Sequence, residues 1–303
     1  MISGNRNKPL EELESESIYI LREVAAQFER PTILYSVGKD SSVVLHLALK
    51  AFWPAKPPFP LLHIDTGYDF PEMYTFRDEV AARYGLELRV YRNEHAISQG
   101  ASPHLLGTRR CCGLLRTEAL VNGLRHFEVD AAIGGARRDE ERSRAKERVF
   151  SVRDPHGQWE PRNQRPELWN LFNGHLAPGE SVRVFPLSNW TEFDVWDYIL
   201  QEEIPIVPLY TAAERPIVIR NGQLEPYFEG QTRLLAGERV ESVRCRYRSL
   251  GCIPCTGAIE SDATTVEEVV REMRSVSVSE RAGRIIDYDT DGSMELKKRE
   301  GYF

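Results

Sequence analysis

The stretch of residues 32–49 constrains this chain most, because an apolar run breaks into a short polar turn and then resumes as a second apolar run. This pattern predicts a buried strand, a turn that binds an anion, and a helix. The first amides of such a helix have no intrahelical partner, and the helix dipole favours negative charge there. A glycine gives the turn conformational freedom, and hydroxyls and one lysine add donors, in the run Ser36-Val37-Gly38-Lys39-Asp40-Ser41-Ser42. The segment therefore predicts a site for the pyrophosphate part of a nucleotide.

The turn resembles the PP-loop of the ATP pyrophosphatases, whose pattern is S-G-G-K-D-S, with Val37 in place of the first glycine. It lacks the spacing of a Walker loop and the G-x-G-x-x-G dinucleotide fingerprint. The resemblance implies that the loop holds the β,γ-pyrophosphate of ATP while the α-phosphorus is attacked. The products would then be pyrophosphate and either AMP or an adenylated acceptor.

Composition predicts a compact cytoplasmic enzyme with no membrane segment. The 303 residues allow one large domain or two, and 41% hydrophobic content suffices for a sizeable core. The N-terminus has no apolar signal region, and no stretch approaches the roughly 18 apolar residues that a membrane span needs. A formal charge of −7 argues against a broad nucleic-acid-binding surface, because such binding depends on neutralising phosphates. Any DNA contact would be local or supplied by a partner.

The first half alternates strand-like and helix-like segments, which predicts an α/β fold with a parallel twisted sheet and helices on both faces. Predicted strands fall at residues 32–35, 61–65, 86–91, 130–135 and 182–187, and predicted helices at 11–28, 71–84, 114–127, 192–200 and 265–273. Residues 150–181 show no clear period. We expect a nucleotide-binding domain over residues 1–208 and an irregular C-terminal region over 209–303, docked on the first.

Two further polar clusters follow predicted strands, where ligands of such sheets bind. One contains Asp65 and Thr66, of which Asp65 would hold a ribose hydroxyl, orient the loop or cap a helix. The other begins with Gly134 and Gly135, which we expect at the nucleotide together with Thr66. Guanidinium groups suit phosphate or sulfate oxygens, and a carboxylate could help to place Mg²⁺. We therefore expect catalytic roles for Lys39, Asp40, Arg137 and Arg138, nucleotide contacts from Arg138 and Asp139, and a Mg²⁺ contact from Asp40 or Asp139.

Longer stretches resemble the small subunits of bacterial sulfate adenylyltransferases, in the phosphoadenosine-phosphosulfate reductase superfamily, over nearly the full length. They are residues 134–141 (GGARRDEE), 163–169 (NQRPELW), 185–192 (FPLSNWTE) and 301–303 (GYF). This resemblance implies an adenine nucleotide α-hydrolase-like fold. It also implies a GTPase partner subunit and the adenylation of sulfate by ATP.

The cysteines depart from that subunit and resemble the [4Fe–4S] ligand set of adenylylsulfate reductases. The set would be Cys111, Cys112, Cys252 and Cys255, whose four thiolates could also hold structural zinc or pack as small hydrophobes. Cys245 reads as a core residue. The mobile C-terminal cysteine segment of those reductases is absent from this sequence, so direct reduction of adenylylsulfate is disfavoured.

Three functions remain open at this point. A PP-loop enzyme with a cluster and no reductase nucleophile is similar to the ATP pyrophosphatase of DNA phosphorothioation systems, which we prefer; its partners would be a cysteine desulfurase and DNA-handling subunits. The second function is the sulfate adenylyltransferase small subunit with an added cluster. The third is a non-catalytic Fe–S or zinc scaffold with a regulatory nucleotide site.

Overall fold

The computed structural model describes residues 9–140 and 144–274. Glu141 of the second glycine cluster and the C-terminal Gly301-Tyr302-Phe303 lie outside these ranges. Among the described residues, no helix has both the length and the apolar character needed to cross a bilayer.

A six-stranded sheet forms the centre of the molecule, in the order β3-β2-β1-β4-β6-β5. All neighbouring strands are parallel except β5, which runs antiparallel to β6 at the edge. The α/β class and all five predicted strands are confirmed. The strands are β1 (Pro31–Leu34), β2 (Leu61–Ile64), β3 (Leu88–Tyr91), β4 (Ala131–Ile133), β5 (Phe150–Arg153) and β6 (Ser181–Val184).

Helices cover both faces of this sheet, so that nearly every residue of the central strands β1, β2 and β4 is buried. Ile33, Leu61 and Ile133 belong to one large core with the first three helices and the seventh. Leu34, Leu62 and Ala132 face the opposite side and pack against the sixth helix. The helices are α1 (Leu10–Gln27), α2 (Lys39–Phe52), α3 (Pro71–Tyr84), α4 (Glu94–Ser98), α5 (Pro103–Cys112), α6 (Ala119–His126), α7 (Glu192–Gln201) and α8 (Val266–Met273), with a π-helical segment at Gly113–Glu118.

The segment between β4 and β6 contains a strand that the sequence pattern does not predict. β5 is only four residues long and fully buried, so it shows no alternation. One of its residues is a buried arginine, Arg153, which pairs with Glu147. Gln164 hydrogen-bonds both the N–H and the C=O of Val152, so the chain that follows β5 covers the exposed edge of the sheet.

The C-terminal region, expected to be irregular, contains a closed four-stranded barrel in the order β10-β8-β7-β9. Its strands are β7 (Ala213–Arg220), β8 (Gln223–Pro226), β9 (Glu241–Tyr247) and β10 (Ala258–Glu260). The barrel shares the large core: the ring of Phe70, just before α3, lies 5.6 Å from that of Phe228 and 5.0 Å from that of Tyr247. Closure brings β10 beside both β8 and β9, a pairing between distant short strands that a local pattern does not reveal.

Candidate functional site

A cavity of about 1150 Å³, part of it open to solvent, lies beyond the carboxyl ends of β1, β2 and β4. Seven of the predicted site residues line it: Ser36, Gly38, Lys39, Asp40, Ser41, Gly134 and Gly135. Apolar walls are supplied by Leu34, Leu62, Ile64 and Leu120. A mostly apolar pocket with convergent polar groups at this position of an α/β sheet is the usual form of a nucleotide site.

The turn before α2 forms an amide nest at one end of this cavity. Gly38 is the N-cap, and its carbonyl accepts a hydrogen bond from the Ser41 hydroxyl at 2.9 Å. Val37 has φ +63°, a left-handed conformation that is costly for a β-branched residue. This is the position at which the PP-loop pattern has glycine. Val37 is fully buried, so packing holds the turn in a conformation that the residue itself disfavours.

Asp40 joins two buried cations of the nest. Its two carboxylate oxygens lie 3.1 Å from Lys39 Nζ and 2.8 Å from Arg137 Nε. Lys39 and Arg137 are each 1% exposed. A Cβ on Gly135 would lie 2.8 Å from Cβ of Asp40, so only glycine lets the end of β4 approach α2 this closely. The structure thus brings together three of the four residues predicted to be catalytic.

Arg137, Arg138 and Asp139, which were also predicted from the second glycine cluster, are not among the residues that line the cavity. The Arg138 guanidinium donates to Asn189 Oδ1 at 2.7 Å, and its backbone N–H donates to the Ser188 carbonyl. Asp139 accepts from the backbone N–H of Glu192 at 3.4 Å, at the start of α7. In this geometry both residues brace the connection between β6 and α7, and their contact with a nucleotide stays a prediction.

Asp65, Thr66 and Ser42 are also absent from the lining of the main cavity. Asp65 accepts hydrogen bonds from the Gly67 N–H at 2.7 Å and the Tyr74 hydroxyl at 2.8 Å, so it orients the loop after β2. The alternative that it caps a helix is wrong, because α3 begins at Pro71 with Phe70 as its N-cap. Thr66 lines a different cavity, beside the cysteines, and Ser42 lines a third, small one behind the nest.

Several residues that the sequence analysis did not single out also line the main cavity. Asp69, 2% exposed, lies 3.5 Å from His63 Nε2 and 3.3 Å from Arg116 Nη2. Burial alone would raise the pKa of Asp69, but the hydrogen bond to His63 and the charge of Arg116 outweigh it and lower the pKa. Asp69 lies two residues after Gly67, close to the predicted Asp65 and Thr66, which was the available signal. Other lining residues of this kind are His63, Arg116, Glu140, Arg144, Tyr210, Ser249 and Leu250.

A second, smaller cavity brings together the four cysteines of the predicted quartet, although they are 140 positions apart in sequence from Cys112 to Cys252. None of the four is in a disulfide. Burial raises the pKa of Cys111 to about 12, and a hydrogen bond with Cys255 together with burial raises that of Cys252. In the part of the chain that the structure describes, no three His, Cys, Asp or Glu side chains are arranged to hold a single metal ion.

Known proteins match the chain over nearly its whole length. A family model described as phosphoadenosine phosphosulfate reductase domain matches residues 30–258. A sulfate adenylyltransferase subunit 2 of Myxococcus xanthus is 60% identical over 298 residues, covering 98% of each chain. One of Methylococcus capsulatus is 58% identical over 294 residues, covering 97% of each. Among solved structures, FMN adenylyltransferase of Candida glabrata in complex with ATP superposes with a TM-score of 0.50 at 17% identity, over 91% of this chain and 87% of that one. The fold and the near full-length resemblance are thereby confirmed.

Proposed function

The chain belongs to the phosphoadenosine phosphosulfate reductase domain family, and from that premise we propose that it transfers the adenylyl group of ATP to sulfate, as the small subunit of a sulfate adenylyltransferase. The relatives named above support this activity. The observation that carries it is the amide nest, in which Lys39 and Asp40 line the pocket and Asp40 also pairs with the buried Arg137. We place the activity in the cytoplasm, where ATP is available, beside a GTPase partner subunit.

The proposed reaction is a single displacement at the α-phosphorus. A sulfate oxygen forms a bond to that phosphorus, the bond to the bridging α,β oxygen breaks, and pyrophosphate leaves with its electron pair. The helix amides and Lys39 would hold the β- and γ-phosphoryl groups and stabilise the charge that develops on the leaving group. Asp40 would act indirectly, by fixing the two cations.

Mg²⁺ fits this site as a companion of ATP rather than as a resident ion. Both carboxylate oxygens of Asp40 already contact cations. Mg²⁺ usually bridges phosphates and keeps several waters, with one or two carboxylates at most. We therefore propose that the phosphates carry the ion into the cavity, and that direct coordination by Asp40 requires its contact with Lys39 or Arg137 to open.

Sulfate-dependent exchange of labelled pyrophosphate into ATP tests this function, with the chain alone and with its GTPase partner. We expect exchange that requires sulfate and Mg²⁺, and its loss in Lys39→Met. Lys56→Met removes an exposed lysine that only bonds the Gly85 carbonyl and should leave exchange intact. Formation of ADP and phosphate instead of adenylylsulfate and pyrophosphate would contradict the proposal.

The cysteine quartet favours a second candidate function, DNA phosphorothioation. There the same α,β cleavage would adenylate an oxygen of the DNA backbone, and sulfur from a cysteine desulfurase would displace AMP. DNA-handling subunits would present the strand, in keeping with the negative net charge of this chain. Deleting the gene and measuring phosphorothioate in the host DNA separates sulfate adenylylation from DNA phosphorothioation, since only the latter predicts loss of the modification.

We propose that Cys111, Cys112, Cys252 and Cys255 hold a [4Fe–4S] cluster. Four soft thiol donors around one cavity suit iron–sulfur or zinc. Zinc with four thiolate ligands is the alternative, and the context of Cys111 and Cys112, which resembles the adenylylsulfate reductases, favours the cluster. When bound, the cluster would supply a redox or sulfur-handling centre beside the nucleotide cavity.

Anaerobic purification tests the metal assignment. The protein should be brown with about four irons per chain, and Cys112→Ser should bleach it. Cys245→Ala is the matched control, because Cys245 is buried in β9 outside the quartet. Colourless protein with one zinc per chain would contradict the cluster while leaving the adenylyl transfer untouched.

A further inference from the structure

We propose that the Tyr210 hydroxyl is part of the phosphate-binding site and donates a hydrogen bond to the β,γ-pyrophosphate portion of bound ATP. This inference rests on the proposed use of ATP, though not on which acceptor is adenylated. Tyr210 ends the short helix Pro208–Tyr210, in the connection between α7 and β7. It is far in sequence from the polar clusters that follow the strands.

The hydroxyl lies at the amide that opens the nest. The backbone N–H of Lys39, the first residue of α2, donates to Tyr210 Oη at 2.8 Å. A Cβ on Gly38 would lie 3.6 Å from the same oxygen. Tyr210 also lines the cavity that Ser36, Lys39 and Ser41 line. The phenol oxygen therefore stands at the end of α2 where a phosphoryl group would bind.

A hydroxyl in this position suits an anion. A phenol can accept one hydrogen bond and donate another. Because its oxygen accepts from an amide at the positive end of a helix, its proton becomes a stronger donor, and phosphoryl oxygens are strong acceptors. Tyr210 thereby extends the positive potential of the helix terminus to a phosphate oxygen that the amide itself does not reach.

The position of the hydroxyl is fixed by packing. The ring of Tyr210 is 1% exposed and meets that of Trp196 in α7 edge-on, with 5.5 Å between centroids. Such a side chain loses little freedom when a ligand arrives, so its hydrogen bond contributes to affinity with a small entropic cost. The connection between α7 and β7 would thus supply the Tyr210 hydroxyl to the loop between β1 and α2.

The test compares how Tyr210→Phe and the wild-type protein bind three ligands by calorimetry: pyrophosphate, α,β-methylene-ATP and AMP. We expect the Kd of pyrophosphate and of the ATP analogue to rise about tenfold, as for loss of a hydrogen bond to a charged group. The Kd of AMP should not change, because AMP lacks the β- and γ-phosphates. Tyr247→Phe removes a buried hydroxyl outside the cavity and should leave all three constants unchanged.

Two results would overturn the inference. Equal effects on ATP analogue and AMP, or none, would mean that the hydroxyl only satisfies the Lys39 amide. Tighter binding of pyrophosphate would mean that the hydroxyl competes with phosphate. If Tyr210→Phe does not fold, Trp196→Phe is the second variant, because it keeps the hydroxyl but loosens the packing of the Tyr210 ring. The ratio of the Kd of the ATP analogue to the Kd of AMP should then rise about two- to threefold. Wild-type protein that binds these ligands but shows no sulfate-dependent exchange refutes the proposed acceptor and leaves this inference standing.

Discussion

Arg137 and Arg138 are neighbours in the chain but serve different parts of the molecule. Arg137 is buried and donates to Asp40 at the amide nest. Arg138 points towards the surface and bonds Asn189. Arg137 therefore acts on the nest through Asp40, whereas Arg138 holds the connection that leads to α7.

Arg137→Ala is expected to lower the rate of pyrophosphate exchange by about a hundredfold, because Asp40 loses one of the two partners between which it holds Lys39 in place for the leaving group. It should also destabilise the fold by about 3 kcal/mol, since Asp40 keeps only one of its two cations. Arg138→Ala should destabilise by only about 1 kcal/mol, through loss of its hydrogen bonds to Asn189 and to the Glu147 carbonyl. Exchange kinetics and urea unfolding measure both effects. Equal losses in the two variants would contradict this assignment.

Sequence reasoning finds charged residues after strands but does not rank them. Both arginines follow a Gly-Gly pair, and only the path of the backbone beyond β4 decides which one turns inward. Tyr210 carries no local signal at all, because a tyrosine in a Pro-Leu-Tyr turn reads as packing. Val37 shows the opposite case: the PP-loop pattern places glycine there, and the structure gives the physical reason in a left-handed φ.

At the level of elements, the site depends on how closely the end of β4 approaches the start of α2. A methyl group on Gly135 would lie 2.9 Å from the backbone carbonyl carbon of Asp40, which has no room to move without shifting the nest. Gly135→Ala should therefore cost about 2 kcal/mol of stability and weaken binding of an ATP analogue. Gly113→Ala is the control, since nothing lies within 4 Å of its added methyl group. Unchanged affinity in Gly135→Ala would show that this close approach is not needed for binding.

The attachment of α8 to the barrel predicts an acid-sensitive contact. Glu272 of α8 pairs with the buried guanidinium of Arg246 in β9 at 2.8 Å. Burial alone would raise the pKa of Glu272, but the hydrogen bonds from Arg246 and Ser261 outweigh it and lower the pKa below its ordinary value of 4.5. A carboxyl group whose pKa is lower in the folded state than in the unfolded state stabilises the folded protein at pH values above the unfolded pKa. This contribution is lost as the pH falls through the folded pKa.

Glu272→Gln should therefore reduce the free energy of unfolding at pH 7 by about 2 kcal/mol. Between pH 5 and pH 3 its stability should fall less steeply than that of the wild-type protein. Urea titrations at a series of pH values measure both. Glu267→Gln, which removes an exposed pair with Arg271, should match the wild-type curve. Parallel acid profiles for Glu272→Gln and wild type would rule out this contact as the acid-sensitive one.

The elements that were predicted correctly are those whose residues carry their own signal. The five parallel strands are short apolar runs between helices of regular period, and Thr191 with Asp194 forms a capping box that marks the start of α7. The barrel was missed because its strands mix charges with apolar residues and pair across long distances. β5 was missed because its burial depends on Gln164 and Glu167, which satisfy its edge from another segment.

In the whole molecule, the nucleotide cavity and the cysteine cavity are adjacent, and Arg116 lines both. The loop after β2 connects them, since Tyr68 packs against the cysteines and its carbonyl accepts from the Ile253 N–H at 2.8 Å. The loop motif and the resemblance to adenylylsulfate reductases predicted the two sets of residues separately, but their proximity follows from the way the C-terminal region folds back. The same folding back of the chain places Tyr210 beside the amide nest.

We propose that residues 1–208 and 209–303 are regions of a single cooperative unit, because one continuous core contains residues of both. Tyr210, Tyr247 and Val269 belong to the same buried cluster as the sheet residues Ile33 and Val184. A chain ending at residue 208 would expose the apolar surface that the barrel and α8 cover, at about 25 cal/mol for each Å².

The truncated chain 1–208 is therefore expected to lack a cooperative unfolding transition. The full-length chain should lose tryptophan fluorescence and far-ultraviolet ellipticity in one coincident urea transition. All five tryptophans lie before residue 208, so fluorescence reports on the sheet region, while hydrogen exchange of peptides from 213–260 reports on the barrel. Backbone amides in both regions should lose their protection against hydrogen exchange at the same denaturant concentration. A barrel that exchanges well before the sheet unfolds, together with a cooperative 1–208 fragment, would mean that the two regions are independent domains and that the core between them is an interface.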